Sequence, residues 1–156
     1  CTTNSKLINF HHRIVHRYLT TNILLSKINI ANSDRCTFCD AERESISHLL
    51  YECVNVKKLW SDVEHWLNQH LGFPITLDKE SILLCSKDNR LIAVNTIVLV
   101  VKYYVYCCKF KGGLTFNGAL SQIQSCYQCE KQIAMESSNM TRFFRKWAVF
   151  HTALSA

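Results

Sequence analysis

Apolar positions return at helical intervals along most of the chain. Leu7, Phe10, Ile14 and Tyr18 recur three or four residues apart, which predicts an amphipathic helix over residues 5–19. His11, His12, Arg13, His16 and Arg17 interleave with that stripe and make one helix face basic. Thr20, Thr21 and Asn22 supply cap-type residues before the short apolar run ILLSKINI. Asn32, Ser33 and Asp34 then form a polar turn leading into Cys36. Asp40 reads as an N-cap with Glu42 and Glu44 in the first turn. Ile46, Leu49 and Leu50 form the stripe behind them, so a helix is predicted over 41–52.

A further helix is expected at about 55–71, with Val56, Leu59, Trp60, Val63, Trp66 and Leu67 inward and Gly72 and Pro74 ending it. The 78–87 stretch is short and ambiguous. A long helix at 88–111, a break at Gly112–Gly113 and two amphipathic stretches at 116–137 and 139–151 complete the pattern. No repeat, low-complexity tract or flexible linker interrupts it.

Composition sharpens this picture. Of 156 residues 48% are apolar, with four glycines and one proline, which excludes a disordered or collagen-like chain and leans towards helix. The segment LIAVNTIVLVVKYYVYCCKF, 91–110, is long enough to cross a membrane, but Asn95 and Lys102 lie inside it. A central lysine costs roughly 2.5–3.5 kcal/mol on insertion scales, so we expect a helix buried along most of its circumference and no membrane partner. The formal charge of +6 favours polyanionic partners, chiefly nucleic acid. Nine cysteines, an odd number without a signal peptide, fit a reducing intracellular compartment with some thiols bound to metal. The first residue, Cys1 in place of methionine, suggests a fragment of a larger polypeptide.

The sharpest pattern is CTFCDAERESISHLLYEC, with the spacing Cys36-x2-Cys39-x8-His48-x4-Cys53. Zinc takes four thiolate and imidazole donors in a tetrahedron, and two cysteines on a tight turn plus a pair from a following helix supply them. On an ideal helix, residues five apart lie about 140° apart around the axis. His48 and Cys53 therefore meet only if the helix ends at about Glu52. Four protein donors leave no open position, so the expected cofactor is one structural Zn2+. Two other readings compete. A redox pair at Cys36 and Cys39 needs a βαβ context that the helical pattern lacks, and the cysteines could simply fill a core. A second site from Cys107, Cys108, Cys126 and Cys129 is disfavoured. Folding back at Gly112–Gly113 would set Cys107 opposite residue 121, and Cys126 fits an apolar stripe with Ile123 and Ile133.

The runs HRYLTTNILL, SDRCTFCDAERESISHLLYEC and KLW resemble the zinc-binding (CCHC) segment near the C-terminus of non-LTR (LINE-type) retrotransposon reverse transcriptases. The matching positions are Arg17, Thr20, Cys36, Cys39, Glu44, Ser45, His48, Leu49, Cys53 and Trp60. A looser similarity runs through KYYVYCCKFKGG, EKQIA and FFRKW. The resemblance implies a module that helps bind template RNA or target DNA beside the polymerase in target-primed reverse transcription. Its partners would be RNA or DNA and the upstream reverse transcriptase domain, and its setting the nucleus for an active element. No Tyr-x-Asp-Asp metal pair and no convincing nuclease acid cluster are present, so this fragment is not expected to be an enzyme.

Arg13, Arg17, Lys27 and Arg35 lead into the cysteine cluster, with Asp34 the only acid in residues 1–35. Such cations contact phosphates, and Phe38 is placed to stack on a base or to pack over the metal. Lys102, Lys109, Lys111, Lys131, Arg142, Arg145 and Lys146 make the last third basic too. These could follow a nucleic-acid backbone or dock on a polymerase. The alternatives to nucleic-acid binding are a structural docking domain and an inactive remnant. The expected architecture is all-α: a helical domain in which a zinc knuckle joins N-terminal helices, within residues 1–72, to a C-terminal helical bundle at 73–156 packed on them.

Overall fold

Two long helices organise the protein, which we describe from a computed structural model covering Thr2 and residues 4–155. In chain order the helices are α1 (Ser5–Val15), α2 (Asn22–Lys27), α3 (Val54–His70), α4 (Lys79–Leu84), α5 (Ile92–Lys111), α6 (Phe116–Glu136), α7 (Met140–Trp147) and α8 (His151–Ser155). A π-type turn, His48–Glu52, precedes α3, and 3-10 turns precede α5 and α8. Among the described residues there is no strand, only one antiparallel bridge between Arg35 and Arg43. The expected all-α architecture is what the chain adopts.

α5 is apolar almost all round, and its residues 97–101 are all buried. It packs along α6 and also touches α1, α4 and the π turn. By length and composition α5 with its preceding turn could cross a membrane, but 67% of its most apolar window is buried by the protein itself. The reversal into α6 uses Gly112 and Gly113, both at positive φ (74° and 80°), where a side chain would be strained. Tyr104 ties the turn down. Its hydroxyl donates to the Gly113 carbonyl at 2.8 Å and accepts from the Thr115 amide at 3.1 Å. Gly118 is needed for the same contact, since a Cβ there would fall 2.1 Å from that hydroxyl. One connected core runs from Leu7 to Leu154 and draws on both the N-terminal and the C-terminal helices.

Among the described residues, four helices end on a non-glycine residue at positive φ: Arg17 (φ 59°), Asn29 (φ 55°), Cys85 (φ 67°) and Ser138 (φ 54°). At the first, the Tyr18 amide bonds the Arg13 carbonyl and the Arg17 amide bonds the Ile14 carbonyl, a Schellman closure. α1 therefore stops at Val15 and not at the expected residue 19, and the chain turns so that Leu19 is buried instead.

The helix expected over 41–52 needs a larger correction. Asp40 is not its N-cap but sits at φ 55°, and helical structure begins only at Ile46. The backbone of 34–44 is committed elsewhere. The Cys36 amide bonds the Glu42 carbonyl, Asp40 bonds Cys36, and Glu44 bonds Asp34. With those groups spent on a hairpin-like turn, no helix can start at 41. The ambiguous 78–87 region resolves as α4, capped by the Asp78 carboxylate accepting from the Ser81 amide at 2.8 Å.

The basic excess of the last third is partly internal. Lys102 and Lys109 are buried, and Lys146 is ion-paired to Glu130 at 2.7 Å. The Lys102 ammonium donates to the Leu83 carbonyl at 3.1 Å and lies 3.9 Å from the Cys85 sulfur. Burial pulls its pKa down to about 8. Burial, followed by the Lys102 charge, lowers His11 to about 4.

Candidate metal centre

Cys36 and Cys39 sit on a tight turn closed by the Asp40 amide bonding the Cys36 carbonyl at 2.9 Å. Cys36 is 2% exposed, Cys53 fully buried and His48 7% exposed, while Cys39 is half-buried. One donor atom from each of the four lies within 4.8 Å of every other. The sulfurs of Cys36 and Cys53 are 3.8 Å apart, and the Cys39 sulfur is 3.4 Å from His48 Nε2. Tetrahedral zinc, with Zn–S about 2.3 Å and Zn–N about 2.0–2.1 Å, requires edges of about 3.8 Å and about 3.6 Å. The donor set therefore fits one Zn2+, with His48 presenting Nε2. Among the described residues this is the one His/Cys/Asp/Glu grouping of metal type.

The five-residue gap between His48 and Cys53 is closed by the backbone itself. The Cys53 amide bonds the His48 carbonyl at 3.0 Å, an i→i+5 bond that widens the turn by one residue. The wide turn brings Cys53 back towards His48, and the chain leaves helical dihedrals there (φ −57°, ψ 132°) before starting α3 at Val54. Helical structure thus gives out after Glu52, as the spacing requires. Ser45 caps the short helix by accepting from the His48 amide at 2.9 Å, which holds the ligand's backbone. Trp60 Nε1 donates to the Leu50 carbonyl at 2.8 Å and pins α3 against the π turn.

Charge explains why this pocket suits a cation. Burial pushes the Cys36 thiol up to about 12 and also raises Cys53. Burial works against a charged Cys39 as well, but the amides of Ala41 and Glu42 and the His48 ring outweigh it and bring that thiol to about 6. The Cys36 and Cys53 sulfurs, in so dry a site, are poorly held as thiolates by protein groups alone. A dication reverses that balance, since coordination deprotonates a thiol outright. Four protein donors complete the tetrahedron, so the site has a structural and not a water-activating form.

A second layer, unseen from sequence, locks the knuckle to the helices. Glu44 is fully buried, and its carboxylate accepts from the amides of Asn22 (2.8 Å) and Thr37 (2.9 Å) and from the Thr37 hydroxyl (2.8 Å). It also pairs with the Lys109 ammonium arriving from α5, and that ammonium donates to Asn22 Oδ1 as well. Glu44 thus starts α2, fixes the Cys36–Cys39 turn and anchors α5 together. The available sequence signals were a lysine in an apolar helix and a glutamate beside the ligand cluster.

The expected nucleic-acid contacts are dispersed. Arg17 and Lys27 border one shallow hollow, of ≈ 250 Å³, together with Thr21 and Ser45. Arg13 is exposed on α1. Arg35 spends its guanidinium on the carbonyls of Asp40 and Ala41, both at 3.1 Å. Phe38 is half-buried against the core, with its carbonyl taken by Asn55 Nδ2 at 2.6 Å.

No curated protein and no solved structure matches the chain. Residues 2–60, which contain all four donors and the Glu44 node, match the family described as zinc-binding in reverse transcriptase. That family is a zinc-binding region of reverse transcriptases and not their catalytic domain, and the N-terminal part of this chain is similar to it and carries a donor set that fits one zinc ion.

Proposed function

We propose that the chain is the CCHC module near the C-terminus of a LINE-type retrotransposon reverse transcriptase, where it helps hold template RNA or target DNA during target-primed reverse transcription. One observation carries the reading: a closed four-donor zinc cluster lies inside the stretch that matches the reverse-transcriptase zinc-binding family. Zinc here staples a turn, a π turn and α3 into one rigid body and does no chemistry itself. Exposed Arg13, Arg17 and Lys27 on the adjoining surface supply phosphate-type contacts, which carry affinity without reading sequence. The setting is intracellular and reducing, nuclear for an active element, with the upstream polymerase as neighbour.

Fluorescence anisotropy with structured RNA and with duplex DNA tests this. Binding should weaken steeply as salt rises. Zinc-loaded, folded protein that binds neither at low salt would overturn the reading.

A second reading, docking on the polymerase without nucleic-acid binding, is favoured by apolar side chains left in solvent on α1, α2 and the turns after them. Ile8 is 50% exposed, Ile28 54% and Ile30 70%. Capture of the upstream polymerase that survives charge reversal at Arg13 and Arg17 but fails after Ile28→Ser/Ile30→Ser would select it.

A further inference from the structure

On the side of the molecule built from the entry to α5, the end of α6 and α7 lies an open groove of ≈ 920 Å³. Five cations line it, Lys87, Arg90, Arg142, Arg145 and Lys146, against two acids, Asp88 and Glu130. Both acids are already compensated. Asp88 accepts from Arg90 at 2.7 Å, while Glu130 accepts from Lys146, from Trp147 Nε1 at 2.8 Å and from Thr2. The unspent charge belongs to Lys87, Arg142 and Arg145, which are exposed and form no ion pair among the described residues. Arg142 and Arg145, three apart on α7, lie on one helix face. The segment carrying Lys87 is tied down next to it by paired bonds between the Ser86 backbone and the Asn95 side chain, at 2.9 and 2.8 Å. Between the rims the lining turns apolar, at Ala93, Ala134 and Phe143.

We infer that this groove binds single-stranded nucleic acid, with the phosphates on Lys87, Arg142 and Arg145 and the sugar and base faces over the apolar floor. The inference rests on the nucleic-acid reading above but places the contact on a different surface from Arg13, Arg17 and Lys27. Charge selects a polyanion, and guanidinium pairs suit phosphate oxygens. The concave shape selects a strand. A duplex is read by protruding elements that enter its grooves, whereas a cationic slot with an apolar floor tracks a single backbone.

The test compares wild type with Lys87→Gln/Arg142→Gln/Arg145→Gln and with Arg13→Gln/Arg17→Gln/Lys27→Gln. Helicity and zinc content are checked first, and all six positions are exposed. Anisotropy is measured with a fluorescein-labelled RNA strand and with a duplex of the same sequence over a salt series. The groove variant should bind the strand about 10- to 100-fold more weakly near 0.1 M salt, with a log–log salt slope shallower by about 2. If wild type binds the strand and the groove variant binds equally well while the N-terminal variant loses affinity, the groove assignment falls and the proposed function stands. If wild type binds no nucleic acid, both fall. Equal weakening towards duplex and strand, or equal competition by poly-glutamate, also overturns the assignment.

Discussion

The zinc knuckle and the α5–α6 hairpin are held together by opposite means. Between Asp34 and Cys53 the chain buries few large apolar groups, and order comes from backbone bonds, a saturated carboxylate and four donors converging on one point. The hairpin buries Ile97, Val98, Leu99, Val101, Val105, Ile123 and Tyr127, and needs no ligand. A region with too little apolar surface of its own must borrow stability from a metal, while a region with enough of it supplies its own. The two meet where α5 packs on the π turn and through a buried ion pair, Glu44 with Lys109.

The strongest way to break this contrast is to remove the metal. Structural zinc is worth an apparent ~10–16 kcal/mol in small zinc domains. Chelation, or Cys36→Ser/Cys39→Ser, should therefore abolish amide protection over residues 34–53 in hydrogen exchange while the α5–α6 amides stay protected. Uniform loss across both regions would show that the hairpin has no independent stability. Next in size is Lys109→Met, which strands the Glu44 carboxylate in a dry site and should cost about 3–5 kcal/mol in urea unfolding. The double variant Glu44→Gln/Lys109→Met should recover part of that loss. Within the hairpin, Ile123→Ala should cost about 2–5 kcal/mol through the cavity it leaves, with zinc content unchanged. A loss of zinc in that variant would mean that the shared core, and not the knuckle's own bonds, holds the donors in place.

The smallest effect carries a pH signature. Lys102 is buried and titrates at about 8, against 10.5 when free, so the unfolded chain holds its proton to higher pH than the folded one. Below about pH 8 the buried charge costs stability, and the cost disappears as pH rises towards 10.5. Lys102→Met should accordingly stabilise the protein at neutral pH by up to about 3 kcal/mol. The advantage over wild type should shrink to nothing between pH 8 and 10.5 in matched urea titrations.

What could be read from the sequence follows the same division. The four donors lie within eighteen residues, and their spacing both named the ligands and required helical structure to end at Glu52. The long helices, with their dense apolar positions and the Gly112–Gly113 break, were equally plain. Residues 40–44 misled because Asp40, Glu42 and Glu44 carry the local preferences of a helix start, whereas their backbone groups serve the cysteine turn. Nothing local marks Glu44 as the partner of a lysine sixty-five positions away. For the same reason Lys102, Lys109 and Lys146 counted as surface charge in the sequence, although the fold turns them inward. Contacts between distant segments are set by how helices stack, and composition carries no record of that.

Cys53 is at once the last donor and the residue from which α3 departs, so the metal site fixes the rotational phase of a seventeen-residue helix. Closing the preceding turn i→i+5 in place of i→i+4 sets that phase. Deleting one residue between His48 and Cys53 would turn α3 by about 100° relative to His48 and swing Val56, Leu59 and Val63 off the core. The single extra residue in the π turn is thus an angular spacer, and the length of this segment is as constrained as its donors.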